Sequence, residues 1–170
     1  MAIRIVTDSS ADLPPELAQR SHITVLPCYV ILDDVTYKDG VDLTHDHFYQ
    51  QLTSNTRLPT TAQPSAADFQ QAYEELLGQG HEVISIHVSG KLSGTPNSAE
   101  QARASLAETA PIAIIDSQLA SIPLGLAVAA AAEQAEQAGL AQHNLFEPFK
   151  QVGLGEFFTL LHNSSKLVQF

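Results

Sequence analysis

The sequence predicts an α/β fold built on a mostly parallel sheet. Three observations carry that prediction. Short apolar, β-branched runs at Ile3–Val6, Val83–Val88 and Ile112–Ile115 alternate with longer stretches whose apolar residues recur at helical spacing. The runs end in polar turns from which a helix can start. The 170 residues contain no internal repeat and no Pro/Gly/Ser linker, so most of the chain reads as one domain.

Taken in order, Ile3–Val6 is a buried strand that ends in the turn Thr7-Asp8-Ser9-Ser10. Ser10 or Asp12 is expected to cap a helix with Pro14-Pro15 in its first turn. Ile23–Leu32 is a second apolar segment that Pro27 makes an edge or irregular strand. Asp33-Asp34 and Lys38-Asp39-Gly40 are turn signals. Thr44 caps a short helix with Phe48 and Leu52 one turn apart. Arg57–Ser65, with two prolines, is expected to be a loop. Ser65 then caps a helix carrying Phe69, Tyr73, Leu76 and Leu77 on one face, which Gly78 and Gly80 stop. After the strand Val83–Val88 a polar turn leads to a helix reaching Leu106. After Ile112–Ile115 an alanine-rich helix is expected from about Pro123 to Ala138, closed by Gly139. The apolar segment Leu145–Leu161, interrupted by Pro148, Gly153 and Gly155, has no clear period.

Composition narrows the function classes. Eight Lys+Arg against nineteen Asp+Glu give a net charge of -11, and the cations are scattered from Arg4 to Lys166. A nucleic-acid binder concentrates basic residues on one face, so nucleic acid is excluded as a partner; anionic membrane surfaces are disfavoured for the same reason. The longest apolar tract, Ile122–Ala132, is far short of the ~20 residues of a membrane span. The start lacks the basic and apolar regions of a signal peptide, and one cysteine, Cys28, rules out a disulfide framework. The expectation is a soluble, cytoplasmic protein.

Chemistry is expected where loops follow parallel strands, because ligands of open α/β sheets bind outside the carboxyl ends. Thr7-Asp8-Ser9-Ser10, Ser89 to Thr95, and Asp116 to Ser121 are such loops, and Leu58–Ser65 is a fourth hydroxyl-rich one. Hydroxyls with free N–H groups at helix starts suit a carboxylate or phosphate. Taken singly, each of these residues is more simply a cap or turn residue.

Five strings in order carry a more specific signal: Val6-Thr7-Asp8-Ser9-Ser10-Ala11-Asp12-Leu13-Pro14, Tyr37-Lys38-Asp39-Gly40-Val41-Asp42-Leu43-Thr44, Leu58-Pro59-Thr60-Thr61-Ala62-Gln63-Pro64-Ser65, Leu92-Ser93-Gly94-Thr95 and Asp116-Ser117. Together they resemble the N-terminal domain of the DegV family of fatty-acid-binding proteins, over about residues 3–139. The resemblance implies a three-layer sandwich with a mostly parallel sheet flanked by helices. It implies a domain over residues 1–155, with residues 156–170 the start of a truncated C-terminal domain. It implies a non-catalytic protein that binds one long-chain fatty acid, the tail in an apolar tunnel, and presents it to a fatty acid kinase. The carboxylate ligands it implies are Thr61 and Ser93, with Thr60, Gly94 and Thr95 as neighbours able to add an N–H or a hydroxyl. No metal, cofactor or catalytic residue is implied. Two departures from the family pattern stand out: Pro96 follows Thr95 where an aromatic is usual, and Pro123 stands where a glycine is usual.

Other readings are weaker. Gly90-Lys91-Leu92-Ser93-Gly94 misplaces the serine of a hydrolase elbow by one residue, and no P-loop or Rossmann fingerprint occurs. His45 and His47 do not share a helix face, so a metal site there is disfavoured. His87, on a strand, is expected to be a satisfied interior histidine, and Cys28 a small core residue. Two alternatives stay open: a phosphotransferase-like enzyme on a related α/β fold, and a truncated fragment that binds nothing. The alanine-rich helix fits either a slot for an acyl chain or close packing on the sheet.

Overall fold

The structure, a computed structural model, describes residues 2–54 and 57–141. The expected second-domain boundary at residue 155, and the segment Leu145–Leu161, lie outside the described residues. Four strands, β1 (Ile3–Asp8), β2 (Thr24–Leu26), β6 (Glu82–His87) and β7 (Ile112–Asp116), form a wholly parallel sheet in the order β2-β1-β6-β7. Three more, β3 (Tyr29–Leu32), β4 (Val35–Lys38) and β5 (Thr60–Ala62), form a separate antiparallel sheet in the order β4-β3-β5. The helices are α1 (Pro15–Arg20), α2 (His45–Ser54), α3 (Ala66–Gly78), α4 (Thr95–Ala104) and α5 (Ser121–Ala141).

The parallel sheet is buried on both faces, which is why its strands read as continuous apolar runs rather than alternating ones. Successive residues point to opposite layers. Ile5, Ile84, Ile86 and Ala113 pack with Ala18 of α1 and Leu124, Val128, Ala131 and Ala135 of α5. Val6, Val83 and Ile112 pack with Phe69, Ala72 and Tyr73 of α3 and Ala99 and Ala102 of α4. The result is the three-layer α/β sandwich the motifs imply. The small residues of α5 serve close packing: a Cβ on Gly125 would run into the Ala11 carbonyl oxygen.

The connections place a crevice. From β1 the chain passes through α1 to β2 on one side. It later enters β6 on the other side of β1 and passes through α4 to β7. Two right-handed crossovers that run in opposite directions across a sheet must put their helices on opposite faces. α1 and α4 do lie on opposite faces, so the neighbours β1 and β6 form the switch point where a crevice opens at the carboxyl ends.

Several local expectations change. Ile23–Leu32 is two strands in two different sheets, because Pro27 lies at the break between them. Arg57–Ser65 is not all loop: Thr60–Ala62 is β5, paired antiparallel with β3. Asp33-Asp34 is the turn of a two-residue hairpin, with φ of 47° and 67°, and β4 follows it unanticipated. Neither Ser10 nor Asp12 caps α1. The residue before α1 is Pro14, without a side-chain cap, while Asp12 takes a left-handed φ of 49° after the 3-10 turn Ser9–Ala11. α5 starts at Ser121 and runs through Gly139 rather than stopping there. At α3 the expected cap is a full capping box: Asp68 N–H donates to Ser65 Oγ (3.2 Å) and Ser65 N–H to Asp68 Oδ2 (2.8 Å). Tyr29 Oη also donates to Asp68 Oδ2 (2.9 Å), which ties the small sheet to the start of α3. Burial pushes the Asp68 carboxyl up, but the Ser65 and Tyr29 hydrogen bonds outweigh it and hold it below the ordinary value. Among the described residues no helix is long and apolar enough to cross a membrane.

Candidate functional site

A cleft of about 570 Å³ opens at the carboxyl ends of β1 and β6 and is walled on its far side by the small sheet. That volume is within the roughly 300–1,000 Å³ of small-molecule sites. Ser9, Ser10 and Asp12 come from the turn after β1, and Val88, Leu92, Ser93 and Gly94 from the turn after β6. Cys28 and Val30 come from the β2–β3 junction and β3, and Thr61, Ala62 and Gln63 from β5 and its exit. Asp39, Leu43, Thr44, Phe48 and Tyr49 close the remaining side. Hydroxyls and apolar side chains thus share one concave surface, as an amphiphile requires.

The register of the small sheet places Thr61 on the cleft wall. Val30 lies directly opposite Thr61, and both line the cleft. Directly opposed residues share a sheet face, so Thr61 and Val30 face the cleft together, and Ala62 adds to the lining at the exit of the strand. Thr60 lies outside the cleft lining. Thr95 is fully buried at the start of α4 and sits behind Ser93, with Ser93 Oγ and Thr95 Oγ1 2.9 Å apart and Thr95 N–H donating to Ser93 Oγ at 3.3 Å. Of the five residues singled out by sequence, the cleft therefore brings together Thr61, Ser93 and Gly94. Gly94 makes room for its neighbour: a Cβ there would stand 2.9 Å from Gln63 Nε2.

The turn after β1, expected from the sequence as one of the hydroxyl-rich loops around a ligand, supplies lining residues that the implied ligand set did not include. Its signal was present in the hydroxyl-rich run Thr7–Ser10, but what places it is a buried polar chain. Asp8, at the end of β1, is fully buried and accepts from Ser10 N–H (3.2 Å), the Ser10 hydroxyl, Val88 N–H (3.3 Å) and His87 Nδ1–H (2.9 Å). His87 Nε2 meets Ser85 Oγ at 2.6 Å, and Ser85 Oγ accepts from Tyr73 Oη at 2.8 Å. Phe69 packs edge-on to the His87 ring. His87 is thus the satisfied interior histidine its strand position suggests, fully buried with both ring nitrogens bonded.

Burial raises the Asp8 carboxyl, but the hydrogen bonds from His87, Ser10 and Val88 outweigh it, so it stays below its ordinary value. Burial pushes the Tyr73 phenol well up, which keeps it a donor. Ser85, His87 and Asp8 have the order of a hydrolase triad, yet Ser85 is sealed in the core and bonded on both sides. It is placed to hold the sheet, not to attack a substrate. The next link reaches the third wall: Cys28 N–H donates to Ser9 Oγ at 3.0 Å. Burial, with Asp8 and Asp39 adding to it, pushes the Cys28 thiol above its ordinary value. Cys28 is half-buried and lines the cleft, so it is a site residue rather than a core one. Among the described residues no group of His, Cys, Asp and Glu is arranged to hold a metal ion.

Residues 2–142 match the family described as "Uncharacterised protein, DegV family". A DegV domain-containing protein of Deinococcus radiodurans is 39% identical over 133 residues, which is 78% of this chain and 47% of that protein. A fatty-acid-binding DegV family protein from Thermus thermophilus superposes with a TM-score of 0.76 at 34% identity, covering 96% of this chain and 53% of that one. DegV of Bacillus subtilis, described as a fatty acid binding protein, gives 0.79 at 30% identity, covering 95% and 54%. The chain spans about half the length of the curated relatives it matches.

Proposed function

Since this chain belongs to the DegV family, we propose that it binds one long-chain fatty acid in the cleft between the two sheets. The carboxyl group meets the hydroxyls of Thr61 and Ser93, and the tail runs along the apolar side. The observation that carries this reading is the convergence of Thr61, from the small sheet, and Ser93, from the turn after β6, on one cleft that is also lined by Val30, Leu43, Phe48 and Val88. A carboxyl group in an apolar cleft without donors is costly, so paired hydroxyls facing such a surface suit it. A hydrogen bond from a hydroxyl to the head group contributes about 0.5–1.5 kcal/mol, and more where the accepting oxygen is charged. Each methylene removed from water adds about 0.8 kcal/mol, so the tail dominates affinity and the hydroxyls dominate orientation.

The protein is in this reading a cytoplasmic carrier without catalysis of its own. Thr61 and Gly94 are exposed. A carboxyl group held against them lies at the surface, which supports presentation of the acid to a fatty acid kinase. The test is titration of the purified chain with palmitic acid, read by displacement of a fluorescent fatty acid. Ser93→Ala and Thr61→Ala are each expected to weaken binding about tenfold, the equivalent of roughly 1.4 kcal/mol. Unchanged affinity in both variants contradicts the assignment of the head-group site.

A further inference from the structure

The directions of the hydrogen bonds around the cleft bear on the form in which a ligand head group is held, given the fatty-acid reading above. A carboxylate only accepts, and it has about four lone-pair positions. Asp8 has four donors on it: Ser10 N–H, the Ser10 hydroxyl, His87 Nδ1–H and Val88 N–H. With the proton on Nδ1, His87 Nε2 accepts the Ser85 hydroxyl hydrogen, and the Ser85 oxygen accepts from Tyr73. In that tautomer every hydrogen in the chain Tyr73–Ser85–His87–Asp8 points toward Asp8, and the Ser10 hydroxyl donates to Asp8 in any tautomer. Ser10 lines the cleft with its hydrogen already committed, so it offers the ligand lone pairs only.

The opposite wall has the opposite polarity. Thr95 is sealed from water, and the acceptor beside its hydroxyl is Ser93 Oγ. When Thr95 donates there, the Ser93 hydrogen is free for the cleft. In that arrangement one wall donates and the other accepts. An ionised carboxylate satisfies the first and opposes the second, whereas a protonated carboxyl group satisfies both. The charges agree. The titratable side chains lining the cleft are Asp12 beside the β1 turn, Cys28 before β3, Asp39 after β4 and Tyr49 on α2, with the buried Asp8 behind Ser10. We propose that Ser10 is the acceptor of the head-group site, held in that role by Asp8, and that the bound fatty acid is kept in its protonated form.

The test is ¹³C NMR of [1-¹³C]palmitic acid bound to the full chain, followed through a pH titration. The bound carboxyl is expected to titrate at least about one pH unit above the ordinary glutamate-like value of about 4.3, a tenfold shift in protonation. Ser10→Ala is expected to weaken binding and, in the palmitate that is bound at saturating concentration, to return most of that shift. Palmitamide, which both donates and accepts, is expected to bind the unaltered chain at neutral pH at least as tightly as palmitate, so the result does not depend on how the variant folds. A bound carboxyl that titrates at its ordinary value, or a raised value that Ser10→Ala leaves in place, overturns the proposal and leaves fatty-acid binding standing. Absence of any bound resonance overturns the fatty-acid reading itself and this proposal with it.

Discussion

Replacing Asp8 by alanine removes the common acceptor of four donors and tests how the cleft is held. Two of those donors, His87 Nδ1–H and Val88 N–H, belong to residues that are 0% and 5% exposed. Water cannot readily replace the lost acceptor there, and an unsatisfied buried donor costs about 1–3 kcal/mol. The two Ser10 donors are on a half-buried residue and can turn to water. The expected loss is therefore about 2–6 kcal/mol, a large part of the roughly 5–15 kcal/mol that stabilises a domain. Asp8→Asn keeps the shape and can keep its oxygen on His87 and Val88, but its amide then faces the Ser10 N–H, which loses its acceptor while the Ser10 hydroxyl turns to accept. That variant is expected to lose about one hydrogen bond's worth, roughly 1–3 kcal/mol.

The assay is urea unfolding by circular dichroism at several pH values. Because the folded Asp8 titrates below its ordinary value, its contribution is fully present above the unfolded value of about 3.9 and is lost as pH falls through the folded one. The unaltered chain should weaken over that acid range, and Asp8→Ala should weaken less steeply there. Asp8→Ala within about 0.5 kcal/mol of the unaltered chain, the range of a neutral surface change, would contradict this role for Asp8.

Three further outcomes follow from the packing. Gly125→Ala drives a methyl group into the Ala11 carbonyl where α5 crosses the 3-10 turn, and should destabilise by about 1–3 kcal/mol in the same urea assay. Gly94→Ala presses only on the end of the exposed Gln63 side chain, so the melting temperature should stay within about two degrees of the unaltered chain's while palmitate affinity changes. The Cys28 thiol, raised by burial, should react slowly with iodoacetamide at neutral pH and more slowly still when palmitate fills the cleft; equal rates with and without palmitate would place the ligand elsewhere.

The parallel sheet was legible because burial on both faces leaves near-continuous apolar runs, and Ser65 with Asp68 three residues on was legible as a helix start. β4 and β5 were not. Their residues are almost all exposed, so neither carries an apolar signature, and β5 exists only because β3 pairs with it across some thirty residues of chain. Thr61 and Ser93 were reached through family motifs, whereas the place of Thr61 on the cleft wall, opposite Val30, depends on that unforeseen pairing. Ser9, Ser10 and Cys28 escaped the implied ligand set for a related reason. Asp8 and His87 are seventy-nine positions apart, and only the adjacency of β1 and β6 makes them partners. The turn signal at Thr7–Ser10 was visible as local chemistry, but its place on a cleft wall is a property of the switch point.

Whether the cleft between the two sheets holds one fatty acid by its carboxyl group can be read by native mass spectrometry of the purified chain with added palmitic acid. A saturable mass increase of one palmitic acid per chain is expected, greatly reduced when Ser93→Ala and Thr61→Ala are combined. No adduct, or an adduct indifferent to both substitutions, would contradict binding at this site.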